Sequence, residues 1–571
     1  MKKNILFAAF LLLMFPSCRF LDERNTSYPT AETYYTSAEK IRTGLNGLYD
    51  PVRAIYTPAF FQLSECTTDI IYLSSDARPD ANCIVSPTKP CHGATVWKQG
   101  YLGVMRANEL CDVIASAQEK GLISNDEYRA LYGEAVVMRA LYWYVLTSVF
   151  GDVPYYEVPV TEANRAEIAH LGRTDAFTIR ETQIDLLKEV LLPTGLGGRG
   201  FLPLERSYRD GTDYRAGAAV GLMLAGKFCL WNGPRNDSRW EDAITFFGVL
   251  EDIYGHYTDR PADFGTDYPL TDIPFGRKFT PESIFEISNK VVPYGQQEYF
   301  ALGSYVTPTR ATTSAAAEDE EEDEDAAKAS DVYNGVSIPE LGKYIRTYKS
   351  ARPTQYFYNQ LMTYNGSDLR SGEYSAGAVE ARGGSGNLAW AWSGYAPEDR
   401  SQSVRRVLPF TDCSNAGAVA ANKRPWLGNK FWCFGQYYNR DSNNPKVFRF
   451  AGALLGMAEA QLRAGHTEEA CKYLSVVRVR AGIGAKRAED FSSDTESILE
   501  AIREECAREL FGEFQRKFDL VRWGIWYERA VAYNNSGYKS YFHPYHAYYP
   551  IPVDQVSYSG GALDNKAYEE E

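Results

Sequence analysis

Residues 449–483, RFAGALLGMAEAQLRAGHTEEACKYLSVVRVRAGI, and residues 497–524, SILEAIREECARELFGEFQRKFDLVRWG, decide the fold. In the first stretch Leu455, Ala458, Glu459 and Leu462 recur at helical spacing, and Gly465 supplies a left-handed stop. Thr467 is placed to cap a second helix, with Glu468 and Glu469 in its favourable first turn. There Ala470, Leu474 and Val477 share a face, and Gly482 ends the element. Two such helices bury a face only against each other and against further helix pairs.

The second stretch predicts a helix capped by Ser493, with Glu496 at the capping-box position. Ile498, Ile502, Cys506 and Leu510 form one stripe, and Phe511, Phe514 and Phe518 lie beside it. Glu504 with Arg508 and Glu513 with Lys517 read as weak i,i+4 pairs on the wet side.

The run AEA…G…EA…R.RAG, followed by E..REL..E…R..DL.RWG, resembles the C-terminal core of the SusD/RagB family. It does so through Ala458, Glu459, Ala460, Gly465, Glu469, Ala470, Arg478, Arg480, Ala481 and Gly482. The second half adds Glu505, Arg508, Glu509, Leu510, Glu513, Arg516, Asp519, Leu520, Arg522 and Trp523. Cys506 departs from the family, which usually carries Arg there. The resemblance implies a non-catalytic surface lipoprotein that binds a nutrient for a SusC-like TonB-dependent outer-membrane barrel. Periodicity alone says only paired helices.

The N-terminus reads as an address. Lys2 and Lys3 precede an apolar run over residues 5–15, too short to span a bilayer comfortably. The run closes on Met14, Phe15, Pro16, Ser17 and Cys18, which looks like a bacterial lipoprotein cleavage site. Residues 1–17 are then the signal peptide, and lipidated Cys18 opens a single domain over 18–571. An ordinary signal peptide with Cys18 incidental is the plainer alternative. Asp22 and Glu23 follow closely; in the family, early acids accompany display on the outer face.

The net charge is −14, and eight negative charges crowd residues 318–325. The acidity is half local, and it disfavours nucleic-acid binding. Of the 10 cysteines, those beyond Cys18 lack paired CxxC spacing for zinc, while Cys83 and Cys91 bracket a loop and could pair. No second apolar run reaches membrane-spanning length, so the expected membrane link is the lipid anchor.

Residues 19–75 extend the resemblance through FLDE, YYTSAEKIRTGLNGLYDPV and Leu63-Ser64-Glu65 with Asp69. Residues 74–96 read as a long binding loop. A helix begins near Trp97, whose Tyr101, Ala107 and Asn108 match the family's W…Y…AN. Over 124–150, Ser124 and Glu127 form a capping box, and Leu131, Ala135, Met138, Tyr142, Val145 and Val149 make one stripe before Gly151. This helix matches the family through Glu134, Arg139, Ala140, Phe150, Gly151, Asp152 and Pro154; Glu134 and Arg139 read as helix–helix charge pairing. Residues 177–193 predict another helix. Gly195, Gly197 and Gly200 spell a GxGxxG, but it follows a helix and enters Phe201-Leu202-Pro203, so nucleotide binding is rejected. Residues 214–232 form a small-residue helix, in which Gly221 and Gly226 allow close approach, and a partner starts near Trp240.

The predicted fold is mainly α: tetratricopeptide-like helical-pair repeats against an irregular, loop-rich region with a few short strands. The N-terminal part covers about 19–250, a variable ligand region 255–445, and a C-terminal helical core 446–571. Within the middle, PESIFEI over 281–287 looks like a family strand, and Asp368 with Arg370 matches the family's D.R. The acidic insertion at 311–330 is expected to be disordered, with calcium capture a minor alternative. Tyr549-Pro550-Ile551-Pro552 resembles the family's closing motif.

The sequence holds no HExxH, GxSxG or P-loop, and its six histidines lack zinc spacing. A glycosidase carboxylate pair is not excluded among 74 acids, but the resemblance implies no enzyme, cofactor or metal. A pure adhesion module is a third reading. The resemblance implies an oligosaccharide ligand, with peptide as the main alternative. Sugars need exposed aromatic platforms and a few polar groups. Trp143, Trp231 and Trp523 lie on helical stripes and read as core. Trp390 and Trp392 flank a Gly-rich stretch with spacing that points both the same way on an extended segment. Tyr294 and Tyr299 lie where family members often place ligand aromatics, and Asp69, Tyr72 and Arg78 are candidates for hydrogen bonds.

Overall fold

A computed structural model describes residues 31–73, 79–89, 91–208, 215–273, 275–289, 332–333, 336–337, 351–362, 368–370, 394–395, 406–407, 430–431, 443–491 and 494–568. The expected leader, Cys18 and the acidic tract at 318–325 lie outside these residues. No helix of the described residues is long and apolar enough to cross a membrane.

The fold is mainly α, built from tetratricopeptide-like helix pairs. The main helices are α1 (Ala38–Asn46), α2 (Tyr49–Ile55), α3 (Pro58–Glu65), α4 (Gly93–Glu119), α5 (Asn125–Phe150), α6 (Ala176–Leu191) and α7 (Ala218–Asn232). They continue as α8 (Ser238–Tyr254), α9 (Phe450–Arg463), α10 (Thr467–Arg480), α11 (Thr495–Glu509), α12 (Arg516–Arg522), α13 (Trp526–Tyr533) and α14 (Val553–Tyr558). Short strands accompany them: β1 (Ile71–Leu73), β2 (Ser283–Glu286), β3 (Val332–Tyr333), β4 (Val336–Ser337), β5 (Ala351–Pro353), β6 (Gly394–Tyr395), β7 (Arg406–Val407) and β8 (Lys446–Arg449). All pair antiparallel as two-stranded ribbons: β1 with β5, β2 with β8, β3 with β4 and β6 with β7.

Helices α4 to α10 stack in chain order, each against the next. The stack runs through the seam between α8 and α9, although residues 255–449 separate them in sequence. Helix spacing allows this because small residues sit where neighbours meet. A Cβ on Gly226 of α7 would lie 2.4 Å from the Phe247 ring of α8, and one on Gly456 of α9 2.8 Å from the same ring. Phe247 therefore fills notches on both sides of its helix. Tyr254 stacks on Phe450 across the seam at 5.0 Å, and β2 with β8 closes it from the other side.

The Ser124–Glu127 capping box is present. Gly151, Gly465 and Gly482 all take positive φ, as expected of helix stops. Two caps differ. Thr467 is the first helical residue of α10 rather than its cap, and His466 precedes it. Helix α11 is capped by Asp494, which accepts from the Glu496 amide, while Ser493 lies outside the described residues.

The stretch 497–518 is not one helix. It breaks after Glu509, where Gly512 and Phe514 take φ of +70° and +63°. The break turns Glu513 inward to Arg449 and Lys430. The two expected wet-side pairs come out differently. Glu504 pairs with Arg508 as expected, with Glu504 partly exposed and Arg508 buried. Glu513 and Lys517 are both buried and do not pair with each other. Charge at i,i+4 spacing looks solvated in sequence, yet Glu513 is met by Arg449 and Lys430, and Lys517 lies against the Trp526 and Tyr549 rings.

Candidate functional site

Helix α3 leads into a turn over residues 66–70 and then β1, beside the expected binding loop. The turn's buried carbonyls need donors, and distant residues supply them. Asn534 Nδ2 donates to the carbonyls of Cys66, Thr68 and Ile71, at 2.7 Å to Thr68. Trp526 Nε1 donates to Thr67 O at 2.9 Å. Thr354, just after β5, donates its hydroxyl to Asp69 O and its amide to Ile70 O.

Asp69 was expected to offer hydrogen bonds to a ligand. It is instead 0% exposed, and Arg516 donates to both carboxylate oxygens at 2.9 and 2.7 Å. A buried carboxylate needs such a bidentate partner, so Asp69 is a brace for the turn. Tyr72 lies opposite Arg352 on the β1–β5 ribbon and is 8% exposed. Arg78, Tyr294, Tyr299, Trp390 and Trp392 lie outside the described residues.

Beneath the turn, Glu65 accepts from the amides of Gln515 and Arg516. Burial pushes its carboxyl up to about 8, against those two hydrogen bonds. It is a fully buried brace that ties the start of α12 to the end of α3.

Beside β5 lies chemistry that the sequence did not reveal. Tyr356 stacks on Tyr533 with centroids 4.0 Å apart and rings 24° from parallel. The Arg529 guanidinium sits 5.5 Å from each ring. Arg529 also pairs with Glu500 and reaches Asp69 at 3.9 Å. Burial pushes Tyr356 up to about 12, opposed by Arg529. Tyr356 follows a strand in the irregular middle, and Tyr533 ends α13, 177 positions away by the numbering; only the fold joins them.

A buried ionic network anchors the ends of the segment that contains Trp390 and Trp392. Arg370 enters it on one side. Its guanidinium meets Asp368 at 2.9 Å, Glu505 at 2.7 Å and Glu509 at 2.9 Å. Lys430 enters on the other, 2.6 Å from Glu513 and 3.2 Å from Glu509 O. Glu509 also meets Arg480 at 2.7 Å and Arg449 at 2.9 Å, and Arg480 and Arg449 share Glu282 of the β2 approach. Despite burial, these guanidinium groups hold Glu509, Glu505 and Glu282 below the ordinary carboxylate range.

Other charged residues of the family motif are used the same way. Glu459 accepts from Arg522 at 2.6 and 2.7 Å and from Trp523 Nε1 at 2.9 Å. Glu134 meets Arg215 at 2.8 Å, and Arg139 meets Asn108 and Glu157. The GxGxxG segment follows α6 and contains only a short 3-10 turn, Thr194–Leu196. Cys83 and Cys91 stand as thiols. Among the described residues no cluster of His, Cys, Asp and Glu has the makings of a metal site.

Known proteins resemble this chain at both ends and along its length. Residues 419–568 match a model described as the SusD family, and residues 19–190 match one described as "Starch-binding associating with outer membrane". SusD-like protein P25 of Formosa agariphila is 23% identical, covering 99% of this chain and 98% of its own. SusD-like protein P2 of the same organism is 26% identical over 32% of this chain and 36% of its own. Among solved structures, a SusD homolog from Bacteroides thetaiotaomicron superposes with a TM-score of 0.65 at 18% identity, covering 93% of this chain and 97% of its own. Surface glycan-binding protein A from the same organism, in complex with laminarihexaose, gives 0.62 at 20% identity over 93% and 99%.

Proposed function

We propose that this chain is a SusD/RagB-type cell-surface glycan-binding protein that hands an oligosaccharide to a TonB-dependent outer-membrane transporter. The observation that carries this reading is the pair of family matches, within which most of a fixed frame falls. That frame, the turn at 66–70 with the Arg370–Glu509–Lys430 network, holds the ends of the segments that contain Arg78, Trp390 and Trp392. Tyr72, Tyr294 and Tyr299 complete the proposed set. The stacked tyrosines under Arg529 add an aromatic layer to the frame, next to Asp69. A hydrolase is disfavoured because the clustered carboxylates of the described core are buried against guanidinium groups, where no glycosidic bond reaches them.

The test is a panel of oligosaccharides and peptides against the purified protein. An oligosaccharide is expected to bind, and the Trp390→Ala plus Trp392→Ala variant to lose about 1–3 kcal/mol of affinity. Unchanged affinity in that variant removes the tryptophans from the site, and binding of peptides alone replaces the glycan reading. Reducing ends released above a blank would make the protein an enzyme.

In the same reading Cys18 carries lipid and holds the protein outside the outer membrane. One acyl chain anchors marginally, so several are needed. Cys18→Ala is expected to release the protein or block its maturation, and failure of labelled fatty acid to enter the wild type refutes the anchor. Recovery of a large barrel protein by pull-down from native membranes tests the transporter, and recovery of the bare monomer counts against it.

A further inference from the structure

A cleft of about 530 Å³ opens between the start of α4, the connection from α5 to α6, and the C-terminal α14. It shares no residue with the frame described above. Its volume falls in the range of small-ligand sites.

Aromatic faces line it. Trp97 and Tyr101 lie side by side, centroids 4.8 Å apart, and Tyr156 runs parallel to Tyr101 within 9° at 6.3 Å. The Tyr101 hydroxyl is already spent on Pro154 O at 2.7 Å. Trp97 is only 5% exposed behind it, so the half-buried Tyr101 and Tyr156 are the rings that the cleft reaches on this side. Tyr558 of α14 also lines the cleft and is 74% exposed, more than any other large apolar side chain among the described residues. An aromatic left this wet at the mouth of a cleft gains nothing for the fold.

The walls are fixed before any ligand arrives. Tyr549 N donates to Val149 O at 2.8 Å, and Ile551 exchanges two hydrogen bonds with Asn565. Arg173 ties Asp152 O to Asp564 O. Polar groups stand at the rim: Lys98 on α4 and Asp554 on α14, both exposed and making no ion pair with one another. Among the described residues, Asp554 accepts from its neighbour Gln555 alone. One cation and one anion leave the cleft without net preference for a charged ligand.

We propose that this cleft is a second glycan-binding site, taking a neutral pyranose unit whose C–H face stacks on Tyr558, with the half-buried Tyr101 and Tyr156 lining the cleft beside it, while its hydroxyls bond Lys98 and Asp554. Aromatic rings bind such faces without consuming hydroxyls, and the ammonium and carboxylate supply donors and acceptors. The site shares with the reading above only the class of ligand.

Isothermal titration with laminarihexaose, cellohexaose and maltohexaose tests it on the full chain. Tyr558→Ala is expected to keep the wild-type melting temperature and weaken at least one hexaose about fivefold or more. Asp554→Asn is expected to weaken the same hexaose, and the Trp390→Ala plus Trp392→Ala variant to retain that component. Loss confined to the Tyr558 and Asp554 variants leaves the cleft standing while the tryptophan reading falls. The cleft is overturned if neither of those variants changes any hexaose, if the tryptophan variant abolishes all binding, or if no hexaose binds the wild type.

Discussion

Replacing Glu509 by Gln tests the ionic network at its centre. The wild-type carboxylate faces Arg370, Arg449 and Arg480, all within 2.7–2.9 Å and all buried. Gln keeps the shape and one acceptor, but leaves three guanidinium groups short of a negative charge. Removing one partner of a buried pair costs about 3–5 kcal/mol, and this site sets the variant in that range. The exposed pair Glu469–Lys472, 2.6 Å apart, is the control, and Glu469→Gln should cost under about 0.5 kcal/mol. Urea unfolding followed by circular dichroism reads both. The pH slope adds a second readout. Because Glu509, Glu505 and Glu282 lie below the ordinary carboxylate range when folded, their stabilisation is present above the unfolded value, about 4.3. It is lost as pH falls through the folded values. The variant should lose less on acidification than the wild type. A Glu509→Gln midpoint within about 1 kcal/mol of wild type would refute the network's role.

Two further changes probe packing and buried charge. Lys517 Nζ is buried with no hydrogen-bond partner among the described residues, 4.9 Å from the Trp526 ring and 4.3 Å from Tyr549. Burial pushes its amine down to about 8, so the folded state carries a penalty that is full below pH 8 and fades as pH rises toward the unfolded value near 10.5. Lys517→Met should therefore stabilise by roughly 1–3 kcal/mol at pH 7, with the gain shrinking by pH 10; a gain that grows with pH contradicts it. Gly456→Leu would drive a side chain into Phe247, and thermal melts should show a loss of about 1–3 kcal/mol or more; an unchanged melt would mean that the seam yields.

The helix pairs were legible because apolar stripes and glycine stops repeat at helical spacing. Both positive-φ stops of the C-terminal pair, Gly465 and Gly482, fell where the sequence put them. What was not legible was where the charges go. Arg370 and Glu505 lie far apart in the chain, and nothing local marks them as partners; the same holds for Glu459 with Arg522 and Asp69 with Arg516. Glu513 and Lys517 looked like solvated neighbours because i,i+4 spacing carries no information about what covers the face. The break at 510–515 was hidden by apolar residues that continue the stripe through Phe511, Phe514 and Phe518, while Gly512 passed as one weak helix position. Of the seven expected ligand residues, the structure describes Asp69 and Tyr72, and burial reassigns Asp69.

The seam between α8 and α9 has a kinetic consequence. Phe247, Tyr254 and the β2 strand meet partners that come only at residues 446–456, far later in the chain. An N-terminal fragment can stack α4 to α8 on local contacts, but the outer face of α8 then leaves Phe247 and Tyr254 without their later partners, beside an unpaired strand edge. Such surfaces are sticky while they wait. The last-synthesised quarter of the chain therefore closes a half-built solenoid, and a chain truncated before residue 446 should aggregate or be degraded rather than persist as a smaller receptor.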